Sequence, residues 1–495
     1  MPQTETQGQP QAAATAEATE ASLLDQIVQE GRFGSEAPAR ERGKDLIRRF
    51  VSEVLAGSIT VAPDTEAMLN ARIAQIDRMI SVQLNEIMHH PDFQALEASW
   101  RGLKYLLSQT ETSTMLKIKV LNVSKKDLLR DLQRAPEFDQ SALFKKVYEE
   151  EYGVFGGAPF GALLGDYYFG RGGPDIELLE KVAQVAAAAH APFLTAASPE
   201  MFNLESFAQL DSPRDLAKIF ETTEYAKWKS FRESEDSRYV ALTVPKMLLR
   251  EPYGKATVPV EAFDYDEKVD GTSHDNYLWG NAAWALGARV TQAFAKHGWC
   301  ATIRGVESGG LVEGLPVHNF RTESGDITMK CPAETAVTDR REKELADLGF
   351  APLVHCKGTD KAAFFSVQSA QKPKAYDTDT ATANARISAQ LPYIFAVSRF
   401  AHYLKSMMRD KIGGYTSRSQ AENDLNRWIS NYVVANEVDA DTKAKRPLRE
   451  ARISVLEIPG KPGAYRSVAF LRPHFQLDEL SVSMRLVADL PKAAG

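Results

Sequence analysis

The hydrophobic pattern divides the chain into a helical N-terminal part, an alternating middle part and a C-terminal part that ends in strands. Residues 64–107 place Ile73 and Ile76 on one helical face, and Pro91 interrupts the pattern before it resumes. We therefore predict a helical hairpin there, within a domain of residues 64–114.

From Met115 the period changes, and strand patterns alternate with helix patterns as far as residue 380. Leu116, Ile118 and Val120 alternate with lysines, which predicts a strand, and Ser124 is placed to cap a helix over 125–134. The alternation favours an α/β sheet covered on both faces, which makes the whole chain mixed α+β. Further strands are predicted at 162–169, 192–196, 239–244, 299–304, 352–355 and 363–368, helices at 175–190, 213–233, 277–297 and 339–349, and an inserted hairpin or loop at 306–316.

The C-terminal domain, residues 381–495, combines long helices with a small sheet. The first helix carries Pro392, which predicts a kink. The pattern predicts helices at 382–411 and 417–436, and strands at 452–458, 464–471 and 480–487. In the last strand every second residue is apolar: Leu480, Val482, Met484 and Leu486. A sheet this small has open edges, which either need covering or are completed by strands from neighbouring subunits.

The N-terminal region has no pattern of a packed domain. Residues 1–21 are polar and of low complexity, which predicts a disordered tail. In the arm of residues 22–63, a short amphipathic helix is too short to be stable alone and indicates a ligand for a partner's groove, although it could instead dock on its own domain. Its apolar face carries Leu23, Leu24, Ile27 and Val28. Ile59 and Val61 form an isolated strand pattern that ends at Pro63.

Composition limits the classes of function. With 495 residues, 44% hydrophobic and 25% charged, the chain can form several globular units. A formal net charge of -7 lacks the basic footprint of a nucleic-acid binder. No uncharged stretch is apolar enough to insert in a membrane, and the polar N-terminus resembles no signal peptide, so we expect a cytoplasmic protein. Cys300, Cys331 and Cys356 cannot form a disulfide framework and are expected to be reduced, buried thiols.

The sequence contains no recognisable catalytic motif. It has no phosphate loop, no H-E-x-x-H and no G-x-S-x-G. His355 and Cys356 are neighbours on a strand and point to opposite faces, while His89–His90 has no third ligand nearby. Residues 149–151 indicate a solvated acidic face, and residues 156–161 a tight turn rather than a phosphate cradle. We predict no catalytic residue, no metal and no cofactor.

Several longer blocks together resemble one family. One of them is Pro-Phe-Gly-Ala-Leu-Leu-Gly-Asp-Tyr at Pro159–Tyr167. The others lie at His90–Leu103, Ala191–Pro199, Asp236–Pro245, Leu278–Trp284, Arg304–Gly310 and Leu471–Leu480. The chain from about residue 20 to 490 resembles the large subunit of the contractile sheath of the bacterial type VI secretion system, the TssC or VipB family.

The resemblance implies a non-enzymatic structural protein. Such a subunit pairs with a small sheath subunit (TssB or VipA) and polymerises with itself around an inner tube of the Hcp protein, on a baseplate. Contraction drives the tube and its spike into a target cell, and the AAA+ unfoldase ClpV recycles the contracted sheath. The segment that matches the family's handle for the unfoldase is Leu23–Gly31.

The residues leave alternatives open beside this interpretation. Ile59 and Val61 are our candidate for a donated strand. An adaptor that binds the unfoldase without polymerising would share the Leu23–Val28 helix but would not need an open sheet. An enzyme with a thiol nucleophile would need a reactive, exposed Cys331 or Cys356.

Overall fold

The computed structural model describes residues 37–55, 65–322, 324–414, 417–461 and 464–476. Several predictions lie outside these residues: the tail 1–21, the helix face of Leu23, Leu24, Ile27 and Val28, the strand of Ile59 and Val61, and the strand of Leu480, Val482, Met484 and Leu486. The chain divides into two compact units, one of residues 1–83 with 261–265 and one of residues 84–260 with 266–495.

The first unit contains helices on which apolar side chains recur at helical spacing. They are α1 (Ala37–Leu55) and α2 (Thr65–Met88), of which α2 continues beyond Gln83 into the second unit. Within the first unit Ile73 and Ile76 are exposed, as are Leu46 and Leu55 of α1.

The remaining helices belong to the second unit. They are α3 (Pro91–Ser108), α4 (Lys125–Arg134), α5 (Gly173–Ala189), α6 (Leu216–Phe220), α7 (Ala226–Glu233), α8 (Ala283–His297), α9 (Asp339–Asp347), α10 (Asp379–Ser388), α11 (Leu391–Asp410), α12 (Arg418–Ser430) and α13 (Ala440–Lys445). A single turn at Ala142–Phe144 runs into a π-helix at Lys145–Tyr152.

The strands of the second unit form one large sheet and three small ones. They are β1 (Leu163–Phe169), β2 (Phe193–Ala197), β3 (Val240–Val244), β4 (Met247–Leu248), β5 (Trp279–Gly280), β6 (Leu311–Val312), β7 (Asn319–Arg321), β8 (Ile327–Met329), β9 (Phe350–His355), β10 (Ala362–Phe364), β11 (Leu448–Glu457) and β12 (Tyr465–Pro473). The six-stranded sheet has the order β1-β2-β3-β9-β10-β6. Its first four strands are parallel to one another, β10 pairs antiparallel with β9, and β6 pairs antiparallel with β10 at the edge.

Both faces of the large sheet are buried, which confirms the predicted α/β architecture. Alternate residues of β3 point to opposite sides, so Leu242 joins a core with α5 and Trp228 of α7, while Ala241 joins a core with Trp284 of α8. Continuous apolar runs such as that of β3 are expected where helices cover both faces of a parallel sheet.

Local signals in the sequence set several helix ends. The Ser124 side chain accepts a hydrogen bond from the Asp127 N–H at 3.1 Å and begins α4, as predicted. Pro91 stands in the first turn of α3, where a helix needs no N–H donor, and the His90 side chain accepts from Asp92 N–H. Ser417 and Gln420 form a capping box that begins α12.

Two predicted strands are wrong. Residues 116–120 belong to no helix or strand and pair with no described strand. Residues 299–304 are irregular because the loop Gly305–Gly310 folds back on them, close enough that a Cβ at Gly310 would collide with the Arg304 backbone. The same loop leads into β6, at the edge of the large sheet.

Long predicted helices are shorter or divided in the structure. The helix predicted at 277–297 begins only at Ala283, because the Leu278 carbonyl accepts from Leu249 N–H and the Asn281 side chain accepts from Ala283 N–H. Pro392 does not kink one helix but lies in the first turn of α11, after α10 has ended.

Two further predicted helices are also shorter. The helix predicted at 213–233 is divided into α6 and α7, with the buried Tyr225 between them bonded through its hydroxyl to the Met201 carbonyl. The helix predicted at 417–436 ends at Ser430, and Val434 N–H instead bonds to the Leu448 carbonyl.

Among the helices of the described residues, none is both long enough and apolar enough to cross a membrane. The domain boundaries at residues 21, 63, 114 and 380 stay predictions.

Candidate functional site

The C-terminal hairpin is the candidate functional site, because a small sheet must satisfy its own edges or receive strands from elsewhere. Strands β11 and β12 pair antiparallel in a two-stranded sheet, with Ile453 opposite Ala469 and Val455 opposite Ser467. The predicted strands 452–458 and 464–471 are therefore confirmed, with both extended by the structure.

One face of the hairpin is buried against helices. Ile453 and Val455 of β11 belong to a core with Leu425 and Ile429 of α12 and with Phe400 of α11. Trp299 stacks on Phe400 with 4.2 Å between ring centroids, which ties this core to the segment after α8. In the described part of the chain, hydrophobic burial thus holds one face of the hairpin.

The outer edge of β11 is already occupied by side chains of α12. The Asn426 amide accepts from Ile453 N–H at 2.9 Å and donates to the Ile453 carbonyl at 2.7 Å. Glu422 Oε2 accepts from Val455 N–H at 2.9 Å, and Leu448 pairs with the chain at Tyr432 and Val434. These contacts take the main-chain groups that an added strand would need.

The outer edge of β12 is open in the described part of the chain. Because Ile453 and Val455 direct their main-chain groups away from β12, their partners Ala469 and Ser467 direct theirs away from β11. No main-chain group of the described residues bonds to Ala469 or Ser467 on that side. Among the described residues, β12 and not β11 therefore offers unpaired main-chain groups to an added strand.

The second face of the hairpin is exposed and both apolar and basic. Phe470 is 56% exposed and lies opposite Arg452, and Val468 is 45% exposed and lies opposite Ser454. The remaining charged residues of this face are Arg466, Arg472 and Glu450, of which the last two are paired at 3.7 Å. Exposed aromatic and arginine side chains on one face are the composition of protein interfaces.

Charged pairs stabilise the elements around the hairpin. Lys411 Nζ lies 2.6 Å from Asp424 Oδ2, and this hydrogen bond lowers the pKa of the Asp424 carboxyl.

Burial lowers the pKa of His474, and the nearby Lys443 ammonium adds to the effect. The imidazole after β12 therefore stays neutral near pH 7.

A polar cavity elsewhere in the second unit, of about 310 Å³, has Tyr253 and Glu267 in its lining. The Glu267 carboxylate accepts from Arg250 Nη1 and Nη2 at 2.6 and 2.9 Å and from Tyr253 N–H at 2.9 Å. Burial disfavours the charge of Arg250, but the bonds to Glu267 outweigh this and raise its pKa. The cluster therefore acts as a structural brace.

The cysteines and histidines are the side chains that thiol or metal chemistry would use. Burial raises the pKa of the Cys300 thiol to about 12 and also raises that of Cys331. Cys356 is exposed, so the prediction of a buried thiol is wrong for this residue, and the His355 Nε2 beside it bonds to the Thr359 carbonyl at 2.8 Å. No group of three or more His, Cys, Asp or Glu side chains among the described residues can hold a metal ion.

The acidic and glycine-rich segments have structural roles. Glu151 pairs with Lys119 and accepts from Ala158 N–H at 3.0 Å. The turn lies earlier than predicted, at residues 154–157, with Gly157 N–H bonded to the Val154 carbonyl at 3.2 Å and Gly156 at a φ of 81°.

The sequence-predicted site residues and the residues of the observed site do not coincide. The former lie outside the described residues, so their roles stay predictions. Asn426 and Glu422 were not predicted, because a polar residue on an exposed helix face gives no local sign that a strand far along the chain needs its amide or carboxylate. The open edge itself was predicted from the small number of C-terminal strands.

Comparison with known proteins shows which family the chain resembles. Residues 70–371 match the model of the EvpB/VC_A0108 tail sheath N-terminal domain, and residues 380–490 match the EvpB/VC_A0108 tail sheath gpW/gp25-like domain. The chain is 50% identical over 459 residues to the type VI secretion system sheath protein TssC1 of Pseudomonas aeruginosa, and the match covers 92% of each.

The similarity to solved structures is lower. The anti-feeding prophage baseplate matches with a TM-score of 0.35 and 9% identity, over 64% of this chain and 67% of that one. The contracted anti-feeding prophage helical sheath matches with a TM-score of 0.31 and 10% identity, over 62% and 66%. Two family models and one full-length relative agree, and the chain belongs to the EvpB/VC_A0108 tail sheath family.

Proposed function

We propose that this tail sheath protein is the large subunit of a type VI secretion sheath and pairs with a small sheath subunit. The heterodimers polymerise on a baseplate around an inner tube, and contraction drives the tube and its spike into a target cell. The main support for this proposal is the open edge of β12, because it offers a neighbouring subunit one defined place to add a strand. The β11 edge is already occupied by Asn426 and Glu422.

The donated strand in this proposal contains Ile59 and Val61 of a neighbouring copy. Main-chain pairing at Ser467 and Ala469 links subunits through a strand, so the bodies can rotate during contraction while the linkage persists. Leu480, Val482, Met484 and Leu486 complete the same inter-subunit sheet. The energy for contraction is stored in a metastable extended lattice, which the baseplate releases.

Recycling in this proposal depends on the N-terminal helix. The apolar face of Leu23, Leu24, Ile27 and Val28 binds a groove of the AAA+ unfoldase ClpV. The sheath subunit itself has no catalytic role and works in the cytoplasm.

Co-expression with the small sheath subunit, followed by negative-stain electron microscopy, tests the proposal. We expect long hollow tubes. Soluble, monodisperse particles over a range of salt concentrations would instead favour an adaptor that does not polymerise.

Variants test the separate parts. Ile59→Pro together with Val61→Pro should prevent long tubes, because proline removes main-chain donors from the donated strand. Leu24→Asp with Ile27→Asp should abolish binding to the unfoldase while tubes still form. Intact full-length tubes from the proline variant would refute the donated strand.

A further inference from the structure

The Asn426 side chain makes the hydrogen bonds that a neighbouring strand would make to β11. It accepts from Ile453 N–H at 2.9 Å and donates to the Ile453 carbonyl at 2.7 Å. In an antiparallel sheet, a residue of the next strand exchanges the same two bonds with its partner. Asn426 Nδ2 also donates to the Glu422 carbonyl at 2.8 Å, which fixes the orientation of the carboxamide. The side chain therefore takes the place of one strand residue.

The spacing of two side chains on α12 matches the spacing of main-chain groups along β11. Glu422 stands one helical turn before Asn426, and four residues of helix rise about 6.0 Å. Ile453 and Val455 are two strand residues apart, which is about 6.6 Å. Glu422 Oε2 therefore accepts from Val455 N–H at 2.9 Å while Asn426 bonds to Ile453. One helix face can thus replace two alternate residues of a strand.

The contact with β11 continues beyond the end of α12. Leu448 N–H bonds to the Tyr432 carbonyl at 3.2 Å, and Val434 N–H bonds to the Leu448 carbonyl at 2.9 Å. The chain from α12 to Val434 therefore bonds to main-chain groups near both ends of β11.

Other contacts fix α12 against its surroundings. A capping box closes its first turn. Asp424 pairs with Lys411 Nζ at 2.6 Å, and Trp428 packs on Phe400 of α11 with 6.0 Å between ring centroids. The side chains that face β11 are therefore presented by a preorganised helix.

Side chains also bond to the main chain of the edge strands of the large sheet, β1 and β6. Asn281 Nδ2 donates to the Tyr167 carbonyl of β1 at 3.2 Å, and Arg289 donates to the Leu311 carbonyl of β6. An edge whose main-chain groups are already bonded is a poorer template for another chain. Among the described residues, no main-chain group bonds to Ser467 or Ala469 on the outer side of β12.

We propose that Asn426 and Glu422 determine the specificity of assembly, because they imitate a strand and close β11 to strands of other chains. The inference rests on the proposed function, in which a copy donates one strand and accepts one at β12. Subunits with one donor and one acceptor edge join in a single defined way. A second acceptor edge would allow wrong pairings, which an occupied edge rejects.

A double variant, Glu422→Ala with Asn426→Ala, tests this role. Alanine keeps the helix and leaves room for a strand beside β11. Asn423→Ala with Arg427→Ala is the matched control, because both residues are exposed on the same helix with the same spacing of four. Glu422→Gln, which retains an acceptor oxygen, should behave as the wild type.

Hydrogen exchange of the purified full chain, measured over a range of protein concentrations, gives the readout. In the double variant the amides of Ile453 and Val455 should exchange faster than in the wild type when the chain is dilute. As the concentration rises they should slow by about fivefold or more, the factor that one typical hydrogen bond gives. In the wild type and the control they should not depend on concentration. A side chain that only stabilises the fold would not produce this concentration dependence.

Amides of Ile453 and Val455 that exchange rapidly in the double variant at every concentration would overturn the inference and leave the proposed function intact. If the double variant fails to fold, the wild-type tube decides. Assembly should then protect Ser467 and Ala469 and leave Ile453 unchanged. A strand of another subunit bonded to Ile453, with Asn426 displaced, would overturn the inference. A wild-type chain that forms no tubes with the small sheath subunit refutes the proposed function itself.

Discussion

Replacement of Asn426 by alanine should loosen the edge of β11, because this one side chain bonds both main-chain groups of Ile453. The distances of 2.9 Å from Ile453 N–H and 2.7 Å to its carbonyl are those of good hydrogen bonds. The Ile453 side chain is fully buried in the core under the hairpin. Removal of a partner from part-buried main-chain groups costs about 1–3 kcal/mol.

This loss of free energy converts directly into a ratio of amide exchange rates. A loss of about 1–3 kcal/mol in the local opening free energy corresponds to a roughly 5- to 150-fold faster exchange of the Ile453 amide. Hydrogen exchange with mass spectrometry on the full chain measures this change. Asn423→Ala is the matched control, because Asn423 is the same residue type on the same helix and is exposed.

Comparison of the two variants also gives the result that would refute this reasoning. Asn423→Ala should leave exchange in β11 unchanged. If Asn426→Ala exchanges at Ile453 no faster than the control, α12 does not occupy the β11 edge and the asymmetry between the two edges fails.

Other predictions concern the body and the hairpin face. Gly102→Ala should lower the urea midpoint although alanine has the higher helix propensity, because a Cβ at this position collides with the buried Trp284 indole. The expected loss in the free energy of unfolding is about 1–3 kcal/mol. Burial lowers the pKa of His402 from 6.5 to about 4, so the stability that the neutral side chain contributes is present above pH 6.5 and is lost as the pH falls towards 4. His402→Gln should therefore make the unfolding midpoint depend less on pH over this range. Phe470→Asp should leave urea unfolding unchanged but reduce tube length in electron micrographs, because the ring is exposed on the free chain.

Elements with strong local signals were predictable from the sequence. Ser124 at the start of α4 and Pro91 in the first turn of α3 are read from the chain alone because capping depends on neighbours within one turn. The buried strand β3 was predictable because its apolar run lies between polar segments.

Features that depend on distant residues were not predictable. The loop before Gly310 prevents a strand at 299–304, and Leu278 pairs with Leu249 and delays the start of α8. The sequence predicted a strand at Leu116–Val120, but no periodicity reveals whether a neighbouring strand lies beside it, and none of the described strands does. The Asn426 contact with Ile453 likewise joins residues that only the folded chain brings together.

The central claim is that β12 presents the edge at which subunits join. Helical reconstruction of assembled tubes by electron cryomicroscopy tests it directly. We predict a strand of another subunit that pairs with the main chain at Ser467 and Ala469, and no strand beyond β11 at Ile453. A tube in which the β12 edge faces solvent, or is filled only by the same chain's own residues 480–487, would contradict the account.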